Sequence, residues 1–448
     1  MIRTTEVLSV IFGFLIIQAF ISCPEEIEPD IEIEGVILLS LETTRCQSVY
    51  LNVELPDSGL MKTYSLYRDN QYIRTDTLYG TDTLIVDSGL EPSTDYLYQA
   101  LYVYRGDIID SSDIVYARTM DISNSNFVWH VDTIADYPSV LRDVAVIDDD
   151  DIWAVGELKM AGGPYNAIHW DGVEWTYFKI PTFALPNQSI VESADLKTVF
   201  AISSSEIYFC AGASFTKWDG HEFIPLDMFM DYIGDPDYGP LWRMWSKSGD
   251  DIYLVGEKGY SVHYDGTNWE KLETGMDLFL RDISGKDEHI FATGYDDYGE
   301  NSGKSIALEF KNGNWNTLFE SFSYLGDVDN NDYGFIYAVD VYNDTAYFSV
   351  RTGVLKYAYK SNSYKFTSGA DANLLNHDFK SIIVQGTNDI VLTGLIGTIV
   401  HFNGIVWSKD DSVPTGNRYY YYGDFYNNTI VLVGSFNWDG ALIARGVR

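Results

Sequence analysis

The stretch His169-Trp170-Asp171-Gly172-Val173-Glu174-Trp175 decides how the rest of this chain is read, because it comes back. Altered copies stand at Lys217-Trp218-Asp219-Gly220-His221-Glu222-Phe223 and at His263-Tyr264-Asp265-Gly266-Thr267-Asn268-Trp269. Looser ones are Glu309-Phe310-Lys311-Asn312-Gly313-Asn314-Trp315 and His401-Phe402-Asn403-Gly404-Ile405-Val406-Trp407, and Tyr359 with Tyr364 keeps the aromatic spacing in a degenerate copy. Each copy sets one aromatic five residues before another. The Asp-Gly or Asn-Gly between them suits a tight hairpin, since glycine tolerates φ > 0. Each copy therefore reads as strand, tight turn, strand.

The closing aromatics Trp175, Phe223, Trp269, Trp315, Tyr364 and Trp407 fall 43 to 49 residues apart. A strand-built period of about 45 residues marks the blade of a β-propeller. Trp129 precedes Trp175 by the same period, yet has no repeat of its own before it. After Trp407 the segments Tyr419–Tyr426, Thr429–Gly434 and Ala441–Gly446 supply three strands and no outer fourth. The two deficits match. Residues 127–133 are expected to complete the blade formed by 419–448, giving an all-β, seven-bladed β-propeller over residues 127–448, closed by an N-terminal outer strand that removes exposed sheet edges. A second signal lies inside the blades. Asp151-Ile152-Trp153-Ala154-Val155-Gly156 matches Asp251-Ile252-Tyr253-Leu254-Val255-Gly256 and Asp389-Ile390-Val391-Leu392-Thr393-Gly394. The apolar run suits a strand buried between blades, and its glycine suits a close backbone approach.

The repeat resembles those of secreted bacterial propellers with Asp-Gly-x-x-Trp hairpins, near the sialidase, kelch and Asp-box groups. It departs from the Asp box, whose Asp and Gly are separated by one residue, and it lacks the kelch double glycine. That resemblance carries a rival reading, a sialidase-like glycoside hydrolase or lyase using loop carboxylates.

The 448 residues carry a net charge of −37, which argues against nucleic acid and against electrostatic binding to anionic lipid. Cys46 and Cys210 lie far apart and read as buried thiols rather than a disulfide framework. At the start, Arg3 precedes a nearly unbroken apolar run, Val7 to Phe20, followed by Ala19-Phe20-Ile21-Ser22-Cys23. The run is short for a span, so residues 1–22 read as a secretory signal peptide. Ser22 before Cys23 resembles the lipobox of bacterial lipoproteins, although Phe20 stands where that family prefers Leu. The resemblance makes Cys23 the lipidated residue, with residues 23–30 an acidic tether, and membrane contact only through the lipid. It implies a cell-envelope location, outer membrane, periplasmic or surface-facing.

Residues 31–120 alternate apolar and polar positions in short runs: Val36–Thr43, Ser48–Leu55, Thr63–Arg68, Thr83–Asp87, Asp95–Tyr104 and Asp113–Thr119. Such strands suggest an immunoglobulin-like sandwich. Within them, Gly89-Leu90-Glu91-Pro92-Ser93-Thr94-Asp95-Tyr96 resembles the fibronectin type III pattern. The resemblance makes Leu90 core and Tyr96 a corner tyrosine whose hydroxyl returns to upstream backbone. Such modules act mostly as spacers. Residues 121–126 read as a linker.

In a propeller, the turns between strands two and three and the connections to the next blade emerge on one face. The long segments here are of those kinds: Glu157–Tyr165, Pro181–Leu196, Pro225–Pro240, Tyr295–Lys304, Ser321–Tyr333 and Thr367–His377. Long loops on a rigid scaffold carry function. Acids and aromatics mingle there, with Asp235, Asp237, Tyr238, Asp296, Asp297 and Tyr298 as ligand-binding candidates. Aromatics beside carboxylates suit carbohydrate. Asp327, Asp329 and Asn331 have the alternation of a calcium loop without its sixth-position Gly, so calcium is the one cofactor considered. Arg142, Arg243, Arg281 and Lys380 begin innermost strands, with Trp242 beside them. Cations at a channel mouth would focus an anionic group; the plainer role is salt bridges to Asp143 and Asp282. No nucleophile motif, His-rich metal spacing or Gly-rich phosphate loop is present. The expected function is a non-catalytic binding or scaffolding propeller, monomeric, for a glycan or envelope-protein partner.

Overall fold

A computed structural model describes residues 36–55, 61–104, 106–184, 189–192, 194–226, 239–296, 303–322, 333–368, 379–413, 416–436 and 440–448. Cys23, with the rest of residues 1–35, falls outside them. The chain divides into two compact units: Met1–Ser40, Asn52–Leu84 and Leu97–Val115 form one, and Leu41–Leu51, Ile85–Tyr96 and Tyr116–Arg448 the other.

In the first unit, Lys62–Arg68 pairs antiparallel with Gln71–Leu78 on one side and Asp95–Tyr104 on the other, and the latter pairs with Asp107–Ser111. Gln71–Leu78 and Asp107–Ser111 escape a periodicity search because most of their residues are exposed on both faces. In the second unit, the Tyr96 hydroxyl accepts a hydrogen bond from Glu91 N at 3.0 Å, and Leu90 is buried.

The second unit is built from four-stranded antiparallel sheets. Five stand alone, and a seven-stranded sheet contains two more that share the strand Val128–Asp148. Its first part pairs with Gly440–Val447, Trp129 opposite Gly446. Its second part pairs with Asp151–Met160 as the innermost strand of the first blade. The innermost strands then touch in cyclic order: Val128–Asp148, Thr198–Ser203, Leu241–Ser248, Leu280–Lys286, Ile336–Tyr342, Phe379–Gly386, Arg418–Tyr426 and back to Val128–Asp148. This closed ring of seven blades has its core between sheets, where the runs Ile152–Gly156, Ile252–Gly256 and Asp389–Gly394 are buried throughout.

The repeated hairpin acts in three ways. Asp171 Oδ1 accepts the amides of Val173 and Glu174, both at 2.9 Å, and Asp219, Asp265 and Asn403 do the same in their copies. Those amides hold the Asp171, Asp219 and Asp265 carboxyls below the usual carboxylate range. Gly172, Gly220, Gly266 and Gly404 then take φ near +90° (90°, 89°, 88° and 97°). The flanking aromatics meet across the strands, Trp170 on Trp175 at 5.3 Å and Tyr264 on Trp269 at 4.6 Å. Finally, the residue that opens each copy ties strand three to strand two. His169 lies 2.8 Å from Asp151 and stacks on Trp153, Lys217 pairs with Glu206 and lies over Tyr208, and His263 pairs with Asp251 and stacks on Tyr253.

One copy is corrected. Tyr364 faces Tyr357, not Tyr359, because the hairpin turns later; Tyr359 sits in the turn and stacks on His289. Glu157–Tyr165 is also not an irregular loop, since Asp151–Met160 and Gly163–Trp170 run on as an extended hairpin. Residues 121–126 have no regular structure but are held to the sixth blade: Asn388 Nδ2 donates to Asp121 O at 2.7 Å, and Ser123 Oγ donates to Asn388 O at 2.7 Å.

Candidate functional site

Six innermost strands share one irregularity. Pairing with strand two shifts register between Leu141 and Asp143, and likewise between Leu241/Arg243, Leu280/Asp282, Ile336/Ala338, Phe379/Ser381 and Tyr420/Tyr422. A β-bulge at each point leaves one residue unpaired and re-aims its side chain. Those residues are Arg142, Trp242, Arg281, Tyr337, Lys380 and Tyr421, and all six line one cavity of about 860 Å³. In the second blade the matching residue is Lys197, whose amide donates to Cys210 O just ahead of the strand.

The strand-two glycines permit this. Gly256 faces Leu241, and a Cβ there would press on Pro240 O and lie 2.7 Å from Leu241 Cα. Gly156 and Gly434 are hemmed in similarly, by Leu141 Cα at 2.9 Å and Tyr419 C at 2.8 Å. In these blades the glycine makes room for the close approach at the bulge; the fifth blade has Val350 in that place, opposite Ile336.

Arg142 forms a two-point ion pair with Asp195, Nε and Nη2 each at 2.7 Å, rather than with its neighbour Asp143. Lys197 shares that carboxylate at 2.6 Å, and both cations lie over the Trp242 ring, at 5.3 and 4.3 Å. Trp242 donates its Nε1 to Glu257. Arg281 lies between the rings of Phe279 and Tyr295, 4.2 Å from each. Lys380 lies between Tyr295 and Tyr337, at 4.9 and 4.3 Å. The described lining residues include four cations and one carboxylate, Glu157; of the cations, Arg142 is paired with Asp195 and Arg243 lies 3.6 Å from Asp143.

Arg243 closes the cavity floor. It is 4% exposed, donates to the carbonyls of Lys197, Trp242 and Arg142, and sits 3.1 Å over the Tyr422 ring. Tyr422 in turn donates to Arg281 O across the channel. Below this plug lies a second chamber of about 320 Å³, lined by Asp143, Asp282, Asp340 and Asp424. These carboxylates stitch blade to blade. Each accepts the amide of the residue that follows it, and also that of the adjoining blade: Val199 for Asp143, Val339 for Asp282, Val384 for Asp340 and Val146 for Asp424. Burial raises all four, Asp282 and Asp424 to about 7 and Asp340 to about 6.

Of the sequence candidates, Arg142, Trp242, Arg243, Arg281 and Lys380 are therefore brought together. Asp296 is not among the lining residues; its carboxylate accepts Phe279 N at 3.2 Å. Asp235, Asp237, Tyr238, Asp297 and Tyr298 lie outside the described residues, as do Asp327, Asp329 and Asn331. No group of three or more His, Cys, Asp or Glu among the described residues is placed to hold a metal. No described helix is long and apolar enough to cross a membrane. Sequence reasoning missed Lys197, Tyr337 and Tyr421. Each follows a residue that the structure buries, Leu196, Ile336 and Tyr420, a relation that shows only once the strands are paired.

No family model matches the chain, and no curated protein matches its sequence. Among solved structures it is similar to YCF48 bound to a D1 peptide, at 14% identity over 73% of this chain and 100% of that one, with a TM-score of 0.52. YCF48 from Cyanidioschyzon merolae matches at 13% identity over 71% and 98% of the two chains, with a TM-score of 0.49. The WD40 β-propeller domain of Doa1 matches at 12% over 72% and 98%, with a TM-score of 0.49. The first likeness shows the fold, a β-propeller.

Proposed function

We propose that this chain is an exported, non-catalytic binding and scaffolding propeller whose partner docks at the channel mouth. The observation that carries this reading is the repeated bulge, which delivers a side chain from blade after blade into one cavity. A device repeated at equivalent positions is a built surface, and a bulge is a recurrent way of aiming residues at a site. Glycoside hydrolysis needs two carboxyl groups flanking the scissile bond. Among the described lining residues Glu157 is the one carboxylate, while Asp195 and Glu257 are held by Arg142 and Trp242. The solved YCF48 structure carries a peptide, which makes a protein segment a reasonable partner class beside the glycan that the sequence suggests.

In this reading residues 31–120 form a fibronectin type III-like spacer, supported by the Tyr96 hydroxyl bond to Glu91 N. Cys23 carries a lipid that holds the chain at the cell envelope. The test is to present the protein to a glycan array, with and without calcium, and to pull down partners from envelope extracts, monitoring retention and cleavage. Retention without cleavage is the expected result. Cleavage of a bound glycan would overturn the non-catalytic reading.

A further inference from the structure

We infer that Arg243 is a proton-governed plug: it grips the strands under the mouth while the carboxyls below it carry their protons, and turns to those carboxyls when they give them up. This rests on the binding reading above and names how that site is regulated. Three observations converge on it.

The first is position. Arg243 and Tyr422 are the two described residues that line both the mouth and the chamber beneath it. The hydrogen bonds of the guanidinium go to backbone carbonyls. Nη1 donates to Lys197 O at 2.8 Å and to Trp242 O at 3.0 Å, and Nη2 donates to Arg142 O at 2.9 Å. Those three residues carry the side chains that gather at Asp195, with both cations over the Trp242 ring. The plug therefore fixes the backbone from which that cluster projects. The ring it rests on does the same for the fourth blade, since the Tyr422 hydroxyl donates to Arg281 O.

The second is an ion pair left open. Asp143 Oδ2 lies 3.6 Å from Nη1, beyond hydrogen-bond reach, and Arg243 Nε has no hydrogen-bond partner among the described residues. A buried donor without an acceptor is costly, and Arg243 is 4% exposed. Closing the gap to the ordinary guanidinium–carboxylate contact of about 2.8 Å takes a shift of about 1 Å. The side chain is thus held between two sets of partners, carbonyls on one side and a carboxylate on the other.

The third is charge balance. Around the innermost strands, the ionisable side chains that line the chamber are Asp143, Arg243, Asp282, Asp340, Tyr422 and Asp424, and the second and sixth blades contribute none. Four carboxyls therefore share one guanidinium in about 320 Å³. Like charges so confined oppose one another's ionisation, and burial acts in the same direction. Burial pushes Asp143 up and Asp282 to about 7, while the Arg243 charge, next in effect, draws both down. The folded chamber accordingly keeps protons below about pH 7 and releases them above it. Once ionised, Asp143 and Asp282 offer Arg243 stronger partners than neutral carbonyls.

The experiment is hydrogen–deuterium exchange of the full chain, read by mass spectrometry at about pH 5.5 and about pH 8.5, with each rate corrected for the intrinsic pH dependence of amide exchange. Protection over Thr198–Ser203 and Leu241–Ser248 is expected to fall about tenfold at the higher pH. Ile399–Phe402, a strand of the sixth blade outside the chamber lining, should stay unchanged. Asp143→Asn keeps the shape and loses the charge, so it should leave the mouth strands protected at both pH values. Arg243→Gln should leave them loosened at both. The wild-type comparison needs no variant, so a folding defect cannot mask the answer. Equal protection at the two pH values, a loss shared equally by the reference strand, or a full pH response surviving in Asp143→Asn would overturn the inference. No ligand enters the measurement, so the plug can fail with the binding reading intact, and the array and pull-down can fail with the plug intact.

Discussion

Replacing Asp340 by alanine should destabilise the propeller in a way that depends on pH in a particular direction. The carboxylate accepts Val341 N at 2.8 Å, Val384 N at 2.7 Å and Ser284 Oγ at 3.0 Å. Asp340→Ala leaves two buried amides without an acceptor, at about 1–3 kcal/mol each, so roughly 2–6 kcal/mol in all. Burial also raises this carboxyl from 3.8 to about 6. The unfolded chain therefore gives up the proton near pH 4, while the folded channel keeps it until near pH 6. Over that window protons favour the folded state, and the stability they supply is lost as the pH rises through 6. At about 1.4 kcal/mol per pH unit the loss is about 3 kcal/mol. The alanine variant has no such term. The cost of Asp340→Ala should accordingly be large at pH 4 and about 3 kcal/mol smaller at pH 8. Urea unfolding of both proteins at the two pH values, in high salt to damp surface charge, measures the difference. A cost that stays constant or grows with pH would refute the account of a buried carboxyl that holds its proton.

Two further substitutions test other parts of the fold. Gly256→Ala places a methyl against Pro240 O and Leu241 Cα, backbone atoms that no rotamer change can move. It should cost about 1–3 kcal/mol by urea unfolding and weaken binding at the mouth, whereas Gly80→Ala, with no atom within 4 Å, should be neutral. Lys356 lies over Tyr347 and Phe402, and burial, with Arg45 next in effect, lowers its ammonium to about 7. Its charged form is held against its surroundings below pH 7, so Lys356→Met should stabilise the protein there, with the gain fading as the pH climbs towards 10; a gain that grows with pH would contradict this.

Local chemistry explains which features the sequence makes legible. Asp171-Gly172 and its copies fold by contacts within a few residues, so their hairpins can be read directly. The strand at Trp129 shows itself because the period demands an aromatic there and the seventh blade lacks a strand. The bulges are a different matter. They are a register relation between two strands, and nothing in Leu141-Arg142-Asp143 alone says that Arg142 is the extra residue. Arg142 and Asp143 look like an ion pair on paper. The bulge separates them, sending the cation to the mouth and the acid to the seam with Val199. Tyr337 and Tyr421 stayed hidden for a related reason, since tyrosine at an inner strand reads as core until its aim is known.

The strand shared between the first and seventh blades also sets a load path. A tensile force arriving from the side of Asp121 meets the sixth blade first, through Asn388 on Asp121 and Asn403 on Ser123. Only when those bonds give way does tension reach the clasp where Val128 faces Val447. A molecule held by its leading end and tugged at its mouth would stretch that outer attachment while the ring stays shut, so the cavity keeps its shape under strain. Residues 121–126 thus fix the order in which attachments would be loaded, the sixth blade before the clasp at Val128.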